Sequence, residues 1–450
     1  MMEQLVMAVM MIVYNVVMVL AICLLWPIWV PLVWFRKKHR HSFLNRMFME
    51  GLPEKDVVAA SDRRRIWIHA LSVGEVLSAE PLVEALAQKH GAHSLVFTAS
   101  TQTGFEMATR LIAPNVGAVR HFPYDTLFSV NRALNVLHPR QVVVVETDIW
   151  PNFLYGLKKR RIPVHLVNAR LSDRSFSGYK RVGFLMAPLL SVFGRICVQT
   201  ESDRQRFRAL GIPDEQVVTV GNIKFDQAPV SMSTEERNQF SETFNLSADT
   251  TLWVAGSTHE GEEDILADAY RKICASGIHP VLIVAPRDPV RAAAVCNIFN
   301  RFGCDAKTLH QIERQPAASS VVVIDRIGIL RQWYALADVA FVGGSLVKAG
   351  GHNPLEPASA AKPILFGPYT EDFRWICQTL EDAGGAIRVH DADQLAEKVI
   401  HLIENKENRR CVGRFAYGVF AENRGAVART LAVIEEGATE GIHDRVKKNS

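Results

Sequence analysis

The run Gln141-Val142-Val143-Val144-Val145-Glu146 constrains this chain more than any other stretch. Four consecutive valines without polar alternation describe a strand covered on both faces. Such a strand belongs in a parallel sheet with helices above and below it. The run ends in a carboxylate, which is costly to desolvate without a partner. Arg170 and Lys224 are the candidate partners. Short apolar runs recur at residues 66–70, 94–98, 119–122, 164–168 and 195–199, and again at 252–256, 281–285, 321–324, 339–342 and 363–367. Helical periodicity fills gaps between them, as at Val76, Leu82, Val83 and Leu86 and over 104–111 and 127–137. Strands alternating with helices predict an α/β protein with doubly wound parallel sheets.

At 450 residues the chain is too long for one ordinary domain. A polar stretch at 228–251 separates the two strand series. The expected architecture is two Rossmann-like domains facing a cleft. The boundaries expected are 1–41 for a membrane anchor with its basic flank, 42–227 for the first domain, 228–250 for the region between, and 251–450 for the second domain with its C-terminal helix.

Residues 5–35 carry no charge, and Asn15 is their main polar interruption. A spanning helix needs roughly 20 apolar residues, so the run is long enough to cross a bilayer even when tilted. It is too long for a signal-peptide core, and no small-residue cleavage site follows it. Next comes Arg36-Lys37-Lys38-His39-Arg40-His41, which places the following domain in the cytoplasm. Trp26, Trp29 and Trp34 suit an interfacial belt, while Pro27 and Pro31 kink the second half of the run. The expectation is a single-pass anchor near the N-terminus. The clusters Arg63-Arg64-Arg65 and Lys158-Lys159-Arg160-Arg161 offer contacts to anionic lipids.

The net charge of +4 is small, and no basic stretch is interleaved with aromatics, so nucleic acid is not an expected partner. None of the seven cysteines forms a C-x-x-C pair, which suggests neither a zinc knuckle nor a disulfide framework. There is no Walker A loop, no G-x-S-x-G elbow and no H-E-x-x-H. His259 with Glu260, Glu262 and Glu263 lacks a second histidine at ligand spacing. No metal and no cofactor are expected.

Nearly every polar motif follows a strand, where open α/β sheets bind their ligands. Glu75 opens a helix after Ser72-Val73-Gly74, where the helix N-terminus favours its charged form, and is a candidate general base. Lys224, in Gly221-Asn222-Ile223-Lys224-Phe225-Asp226, is placed to stabilise negative charge on a leaving phosphate or an acidic sugar. With Glu146 these three form the candidate catalytic set. Ser72, Gly74, Thr101, Tyr124, Asp125, Arg170 and Ser172 stand in the other polar loops of the first half and are candidate contacts lining a binding cleft. In the second half, Gly343-Gly344-Ser345 lets backbone N–H groups approach an anion. Asn353 is a candidate helix cap, and Glu356 a candidate acceptor for ribose hydroxyls.

These strings together resemble the bacterial 3-deoxy-D-manno-octulosonic acid (Kdo) transferases of lipopolysaccharide synthesis. The pieces that carry the resemblance are H-A-L-S-V-G-E at 69–75, E-T-D-I-W-P-N at 146–152, N-A-R-L-S-D-R-S-F-S-G-Y at 168–179, G-N-I-K-F-D at 221–226, S-T-H-E-G-E-E at 257–263 and the segment 341–357. The resemblance implies a membrane-anchored glycosyltransferase of the two-domain GT-B type at the inner membrane. It implies CMP-Kdo as donor, a lipid A precursor as acceptor and anionic membrane lipids as neighbours. It also implies Glu75 as base, Glu146 and Lys224 in support of the transition state, acceptor contacts at Ser72, Gly74, Thr101, Tyr124, Asp125, Arg170 and Ser172, and donor contacts at Ser257, His259, Pro286, Arg287, Ile327, Gly328, Ile329, Gly343, Gly344, Ser345 and Asn353-Pro354-Leu355-Glu356. Three donor-half positions depart from the family pattern. Asp288 replaces a histidine, Ile329 ends what is Met-Gly-Glu in the family, and Tyr369 replaces a histidine. A related membrane-anchored glycosyltransferase using another nucleotide sugar or another lipid acceptor, and a non-catalytic nucleotide- or lipid-binding protein, are the alternative readings.

Overall fold

The computed structural model describes residues 2–34, 43, 45–47, 65–227, 229–230, 232–235, 238, 242, 250–315 and 319–447. The basic cluster at 36–41, Arg63, Arg64 and most of the region 228–250 lie outside them, as do the side chains of Trp29 and Trp34.

The described chain divides into two units, Met1–Gln227 with Arg424–Ser450, and Ala228–Asn423. The first holds a seven-stranded parallel sheet of β1 (Arg65–Ala70), β2 (Leu95–Ala99), β3 (Ala118–His121), β4 (Pro139–Val145), β5 (Val164–Ala169), β6 (Arg195–Val198) and β7 (Val217–Thr219). Their spatial order is β3-β2-β1-β4-β5-β6-β7. The valine run does what its composition requires. Val142 and Val144 join the core on one face of the sheet, Val143 and Val145 the core on the other. Helix α1 (Met2–Trp34) precedes the sheet, and α2 (Val73–His90), α3 (Gln102–Leu111), α4 (Leu127–Leu137), α5 (Pro151–Lys159), α6 (Asp173–Arg181) and α7 (Gly183–Leu190) connect its strands. Strand order reverses between β1 and β4, so the loops after these two strands diverge to opposite faces and leave a binding position between them. Trp67 pairs with Val142 and His69 with Val144 across that junction.

The second unit repeats the plan with β8 (Leu252–Thr258), β9 (Val281–Pro286), β10 (Ala306–Thr308), β11 (Val321–Val323), β12 (Val339–Val342), β13 (Ile364–Phe366) and β14 (Ala386–Arg388). All are parallel, in the order β10-β11-β9-β8-β12-β13-β14. The reversal here falls between β8 and β12. Helices α8 (Glu262–Ala275), α9 (Leu330–Leu336) and α10 (Leu355–Ser359) carry the residues that matter below.

Three strands were not expected from sequence: β7, β10 and β14. Each has three residues and each lies at a sheet edge. An edge strand has only one neighbour, so its residues need not form an apolar run. A second difference concerns the C-terminus. The expected second domain ran to residue 450, whereas Arg424–Ser450 groups with the first unit. Helix α11 (Ala426–Lys447) places Ala426, Val427 and Ile434 in the core beneath the first sheet. Arg429 Nε donates to the Val220 carbonyl at 2.8 Å, and the Asp226 carboxylate accepts from the amides of Gly425 and Val427. Apolar cover for that face thus comes from the far end of the sequence.

Candidate active site

Three carboxylates gather at the junction of β1 and β4. Glu75 stands in the first turn of α2, behind Ser72 in extended backbone, and its carboxylate accepts from the Leu71 amide. Glu146 follows β4 with φ +61°, a left-handed conformation that costs a non-glycine residue about 1–3 kcal/mol. Its amide donates to the Val167 carbonyl at 2.8 Å, and its own carbonyl accepts from the Asp148 amide at 3.1 Å. Lys224 Nζ lies 3.5 Å from Glu146 Oε1, so one of the two expected partners is in place. Arg170 is held through its carbonyl, which accepts from Thr147 Oγ1 at 2.6 Å.

A polar clamp sets Lys224. Asn222 Oδ1 accepts from the Lys224 amide at 3.0 Å, and Asn168 Oδ1 from the Ile223 amide at 3.2 Å. Gln199 Nε2 donates to the Asn168 carbonyl at 2.9 Å, and Asn222 Nδ2 to Gln199 Oε1 at 3.1 Å. The ends of β5 and β6 thereby fix the turn that carries the lysine.

Asp148 is the third carboxylate and was not singled out from sequence. His69 Nε2 lies 3.1 Å from Asp148 Oδ2, and Trp150 Nε1 donates to the same oxygen at 2.7 Å. The His69 ring stacks on Phe122 with centroids 3.8 Å apart. The sequence signal was there: an acidic residue two positions after Glu146, and a histidine ending a buried strand.

Burial pushes the Glu75 carboxyl up to about 8, and the Glu146 charge adds to the effect. The Leu71 amide works against it, and Asp148 raises it further. The expectation that the helix N-terminus holds Glu75 charged is thereby overturned, because removal from water and two neighbouring carboxylates outweigh a partial positive charge.

The acceptor candidates divide into two kinds. Ser72 and Gly74 flank Glu75, and a Cβ built on Gly74 meets no atom within 4 Å, so this backbone faces open space. Arg170 is exposed, and the Tyr124 ring carries the Arg46 guanidinium 4.2 Å above its centroid. The others serve the fold. Thr101 caps α3 by accepting from the Gly104 amide at 3.0 Å, and Ser172 caps α6 by accepting from the Ser175 amide at 3.1 Å. The Asp125 carboxylate is buried and accepts from the amides of Asn152 (3.0 Å) and Phe153 (2.8 Å). Burial lifts it to about 6, against the pull of those amides.

In the second unit the glycine loop has a different occupant from the one expected. Glu262, fully buried, accepts from the amides of His259 (2.9 Å), Gly344 (2.6 Å), Ser345 (2.9 Å) and Leu346 (2.8 Å). The Gly343 amide donates to the Gly256 carbonyl at 2.8 Å. Ser345 Oγ donates to the Val342 carbonyl at 2.6 Å and accepts from the Gly367 amide at 2.8 Å. Gly343, Gly344 and Ser345 therefore do not offer free amides to a phosphate, because an internal carboxylate already fills the anion position. Burial raises the Glu262 carboxyl, and the amides oppose that rise.

Around this loop stand the remaining donor candidates. Ser257 has φ +58°, a second strained residue at a strand end. His259 Nε2 lies 2.7 Å from His352 Nε2, with the rings stacked. Gly344, at φ +69°, makes room for His352, whose Cδ2 would sit 2.9 Å from a Cβ there. Burial and then the Arg287 cation push His352 down to about 4. Pro286 ends β9, the Arg287 amide donates to the Thr258 carbonyl at 2.9 Å, and the Arg287 side chain is exposed. Burial raises Glu356, against the charges of Arg331 and Arg287. Asn353 Oδ1 accepts from the Leu355 amide at 3.1 Å, which closes the turn into α10, while Pro354 and Leu355 are buried. Ile327 is 60% exposed, Gly328 has φ +98°, and Ile329 packs on the core below α9. Among the described residues, no three His, Cys, Asp or Glu are assembled as metal ligands.

The family model for 3-deoxy-D-manno-octulosonic-acid transferase (kdotransferase) matches residues 42–227, which hold the three carboxylates and Lys224. A 3-deoxy-D-manno-octulosonic acid transferase from Haemophilus influenzae is 35% identical, over 82% of this chain and 86% of the relative. The chain belongs to this family. A second relative of that name, from Chlamydia muridarum, is 30% identical over 77% of this chain and 79% of its own. Membership makes the chain a glycosyltransferase. Among solved structures, the UDP-GlcNAc 2-epimerase from Neisseria meningitidis bound to UDP-GlcNAc superposes with a TM-score of 0.58 at 16% identity, covering 83% of this chain and all of that one. That likeness is one of fold, two Rossmann-like units of the GT-B type.

Proposed function

We propose that this chain transfers Kdo from CMP-Kdo to a hydroxyl of a lipid A precursor with inversion at the anomeric carbon. One observation carries the reading: a half-buried carboxyl, Glu75, whose basicity is raised beside a Lys224–Glu146 pair and an open glycine backbone. The acceptor hydroxyl loses its proton to Glu75 as its oxygen bonds to the anomeric carbon. The bond from that carbon to the phosphate oxygen breaks, and CMP leaves with the electron pair. Positive charge builds on the sugar ring in the transition state, where Glu146 offers a carboxylate. Lys224 holds Glu146 and presents a cation to the acidic sugar. In the second unit, Arg287 is the exposed cation for the nucleotide phosphate, and the stacked His259–His352 pair supplies ring nitrogens beside it.

The Haemophilus influenzae and Chlamydia muridarum relatives, both 3-deoxy-D-manno-octulosonic acid transferases, support the donor. An apolar N-terminal segment, Met7–Pro27, long enough to cross a membrane, supports an amphiphilic acceptor at the cytoplasmic face of the inner membrane, with Lys158 and Lys159 toward anionic lipids. The test is incubation of the full chain with CMP-Kdo and a tetraacyl lipid A precursor, following CMP release and product mass beside Glu75→Gln. Product from the wild type and almost none from the folded variant is the expected result. No product from the wild type overturns the reading, and CMP release that Glu75→Gln leaves intact removes the base.

A further inference from the structure

We propose that α1 lies along the membrane surface as a docked part of the first unit, and that its contacts position the acceptor lipid beside the loop carrying Glu146 and Asp148. The second half of this inference rests on the lipid-acceptor reading above. The first half does not.

One face of α1 is committed to the first unit. Met7 and Met11 are 2% and 4% exposed, and Met10 packs on the core. One further turn along the same face, Tyr14 Oη donates to Asp125 Oδ2 at 3.0 Å. Asn15 and Asn152 form a reciprocal amide pair, Nδ2 to Oδ1 at 2.8 Å in one direction and 3.0 Å in the other. Asn15 Nδ2 also donates to the Met11 carbonyl at 2.8 Å, so both its hydrogens are used. Asp125 and Asn152 are themselves joined, and Asn152 closes the segment that begins with Glu146. The polar interruption of the apolar run is thus a docking point.

Chain reach rules out crossing from this docked position. Residues 14–15 touch the loops at Asp125 and Asn152, and Phe43 meets Tyr124 with ring centroids 5.6 Å apart. Arg46 Nε donates to the Phe122 carbonyl at 3.0 Å. Both sides of the apolar segment therefore return to residues 122–125. From Asn15 to Trp34 the helix rises about 28 Å, which is nearly the thickness of a hydrocarbon core. The link from Trp34 to Phe43 reaches at most about 30 Å when fully extended. If α1 crossed, this link would have to cross back, carrying Arg36, Lys37, Lys38 and Arg40 through lipid without a helix to satisfy its backbone.

The face of α1 turned away from the unit is apolar at Val9, Ile12, Val13, Val16, Val17 and Leu20, all more than half exposed, and from Val19 to Pro27 the helix is apolar and exposed on every side. Helix α7, against which α1 packs, carries Phe184 as its second residue, 71% exposed, three residues after Arg181 at the end of α6. Phe128, 56% exposed, stands three residues past Asp125. An apolar helix end beside cations matches immersion in one leaflet, with acyl chains around Val19 to Pro27 and anionic head groups at Lys180 and Arg181.

The test uses the full chain in vesicles of phosphatidylethanolamine and phosphatidylglycerol, tagged at both termini and exposed to external protease. The C-terminal segment belongs to the first unit, so that tag reports the unit's side. Equal cleavage of both tags is expected. Protection of the N-terminal tag on molecules whose C-terminal tag is cut overturns the in-plane helix. Asn15→Leu then tests positioning: it removes the amide pair, and KM for the lipid acceptor should rise about tenfold with kcat within about twofold. Asn15→Gln should recover part of that rise. Unchanged KM in Asn15→Leu overturns the positioning role. Absence of wild-type turnover would sink the proposed reaction, while the tag result would still decide where α1 lies.

Discussion

Lys224 Nζ lies 3.5 Å from Glu146 Oε1, and the two side chains arrive by different devices. Glu146 is aimed by left-handed backbone after β4, while Lys224 is aimed by a turn pinned to Asn168 and Asn222. Neither residue is fixed by the other alone, so the pair can be opened from either side without collapse of the sheet. Its partner in charge is Glu75, whose raised carboxyl senses Glu146 directly.

Two variants of the pair should shift the same pH profile in opposite directions. With Glu75 as base at about 8, kcat/KM rises as pH rises through that value. Glu146→Gln removes a negative neighbour, lowers the Glu75 carboxyl and moves the rising limb to lower pH. Lys224→Met removes a cation and moves it to higher pH. Each should also lower kcat by about 10²-fold through lost electrostatic support. Profiles that move together, or stay put, would exclude the proposed coupling.

Glu75→Gln should trade activity for stability. Its loss of kcat should be about 10²–10⁴-fold. The native carboxyl titrates near 8 and the unfolded one near 4.5, so the folded state binds the proton more tightly. Stability from this group is fully present below about 4.5 and is lost as pH rises through 8. The wild type should therefore lose melting temperature between pH 5 and pH 9 relative to Glu75→Gln. Calorimetry across that range decides it, and parallel curves would argue against a raised carboxyl.

Glu262→Gln should destabilise the second unit. One carboxylate accepts from four amides, two on each oxygen, and an amide side chain would turn its N–H groups toward two of these donors. The expected cost is about 1–3 kcal/mol or more, read as a lower melting temperature with weakened nucleotide binding. A phosphate-binding role for the Gly344 and Ser345 amides would instead predict unchanged stability and tighter binding once the carboxylate is neutral.

Elements built on continuous apolar runs were legible because burial on both faces leaves no other composition possible. Val142 to Val145, and the strands of the second unit with Trp253 and Phe341, read directly as sheet. Glu75 and Glu146 stood out in the sequence because they are polar residues after apolar runs, whereas Lys224 stood out only as a cation in a polar turn, and the structure brings it to Glu146. Glu262 was not, since one more glutamate at a helix start looks solvated until the amides around it are counted. The return of α11 to the first sheet was equally hidden, because amphipathic pattern tells that a face is covered and not by which surface. Asn15 read as an interruption in an apolar helix, and only the opposite amide of Asn152 gives it a purpose.

Gly74→Ala and Gly104→Ala separate folding from acceptor binding. A Cβ on Gly74 meets nothing within 4 Å, and the residue lies in the first turn of α2 with no positive φ. Alanine there should leave stability unchanged or raise it by up to about 1 kcal/mol through helix propensity. A Cβ on Gly104 would sit 2.8 Å from Thr101 Oγ1 and 3.3 Å from the Ser72 backbone, so that variant should lose melting temperature. If the acceptor hydroxyl approaches Glu75 across the open backbone, Gly74→Ala lowers kcat/KM for the lipid at least several-fold in a protein as stable as the wild type. Full activity in Gly74→Ala would show that the acceptor does not reach Glu75 across this backbone.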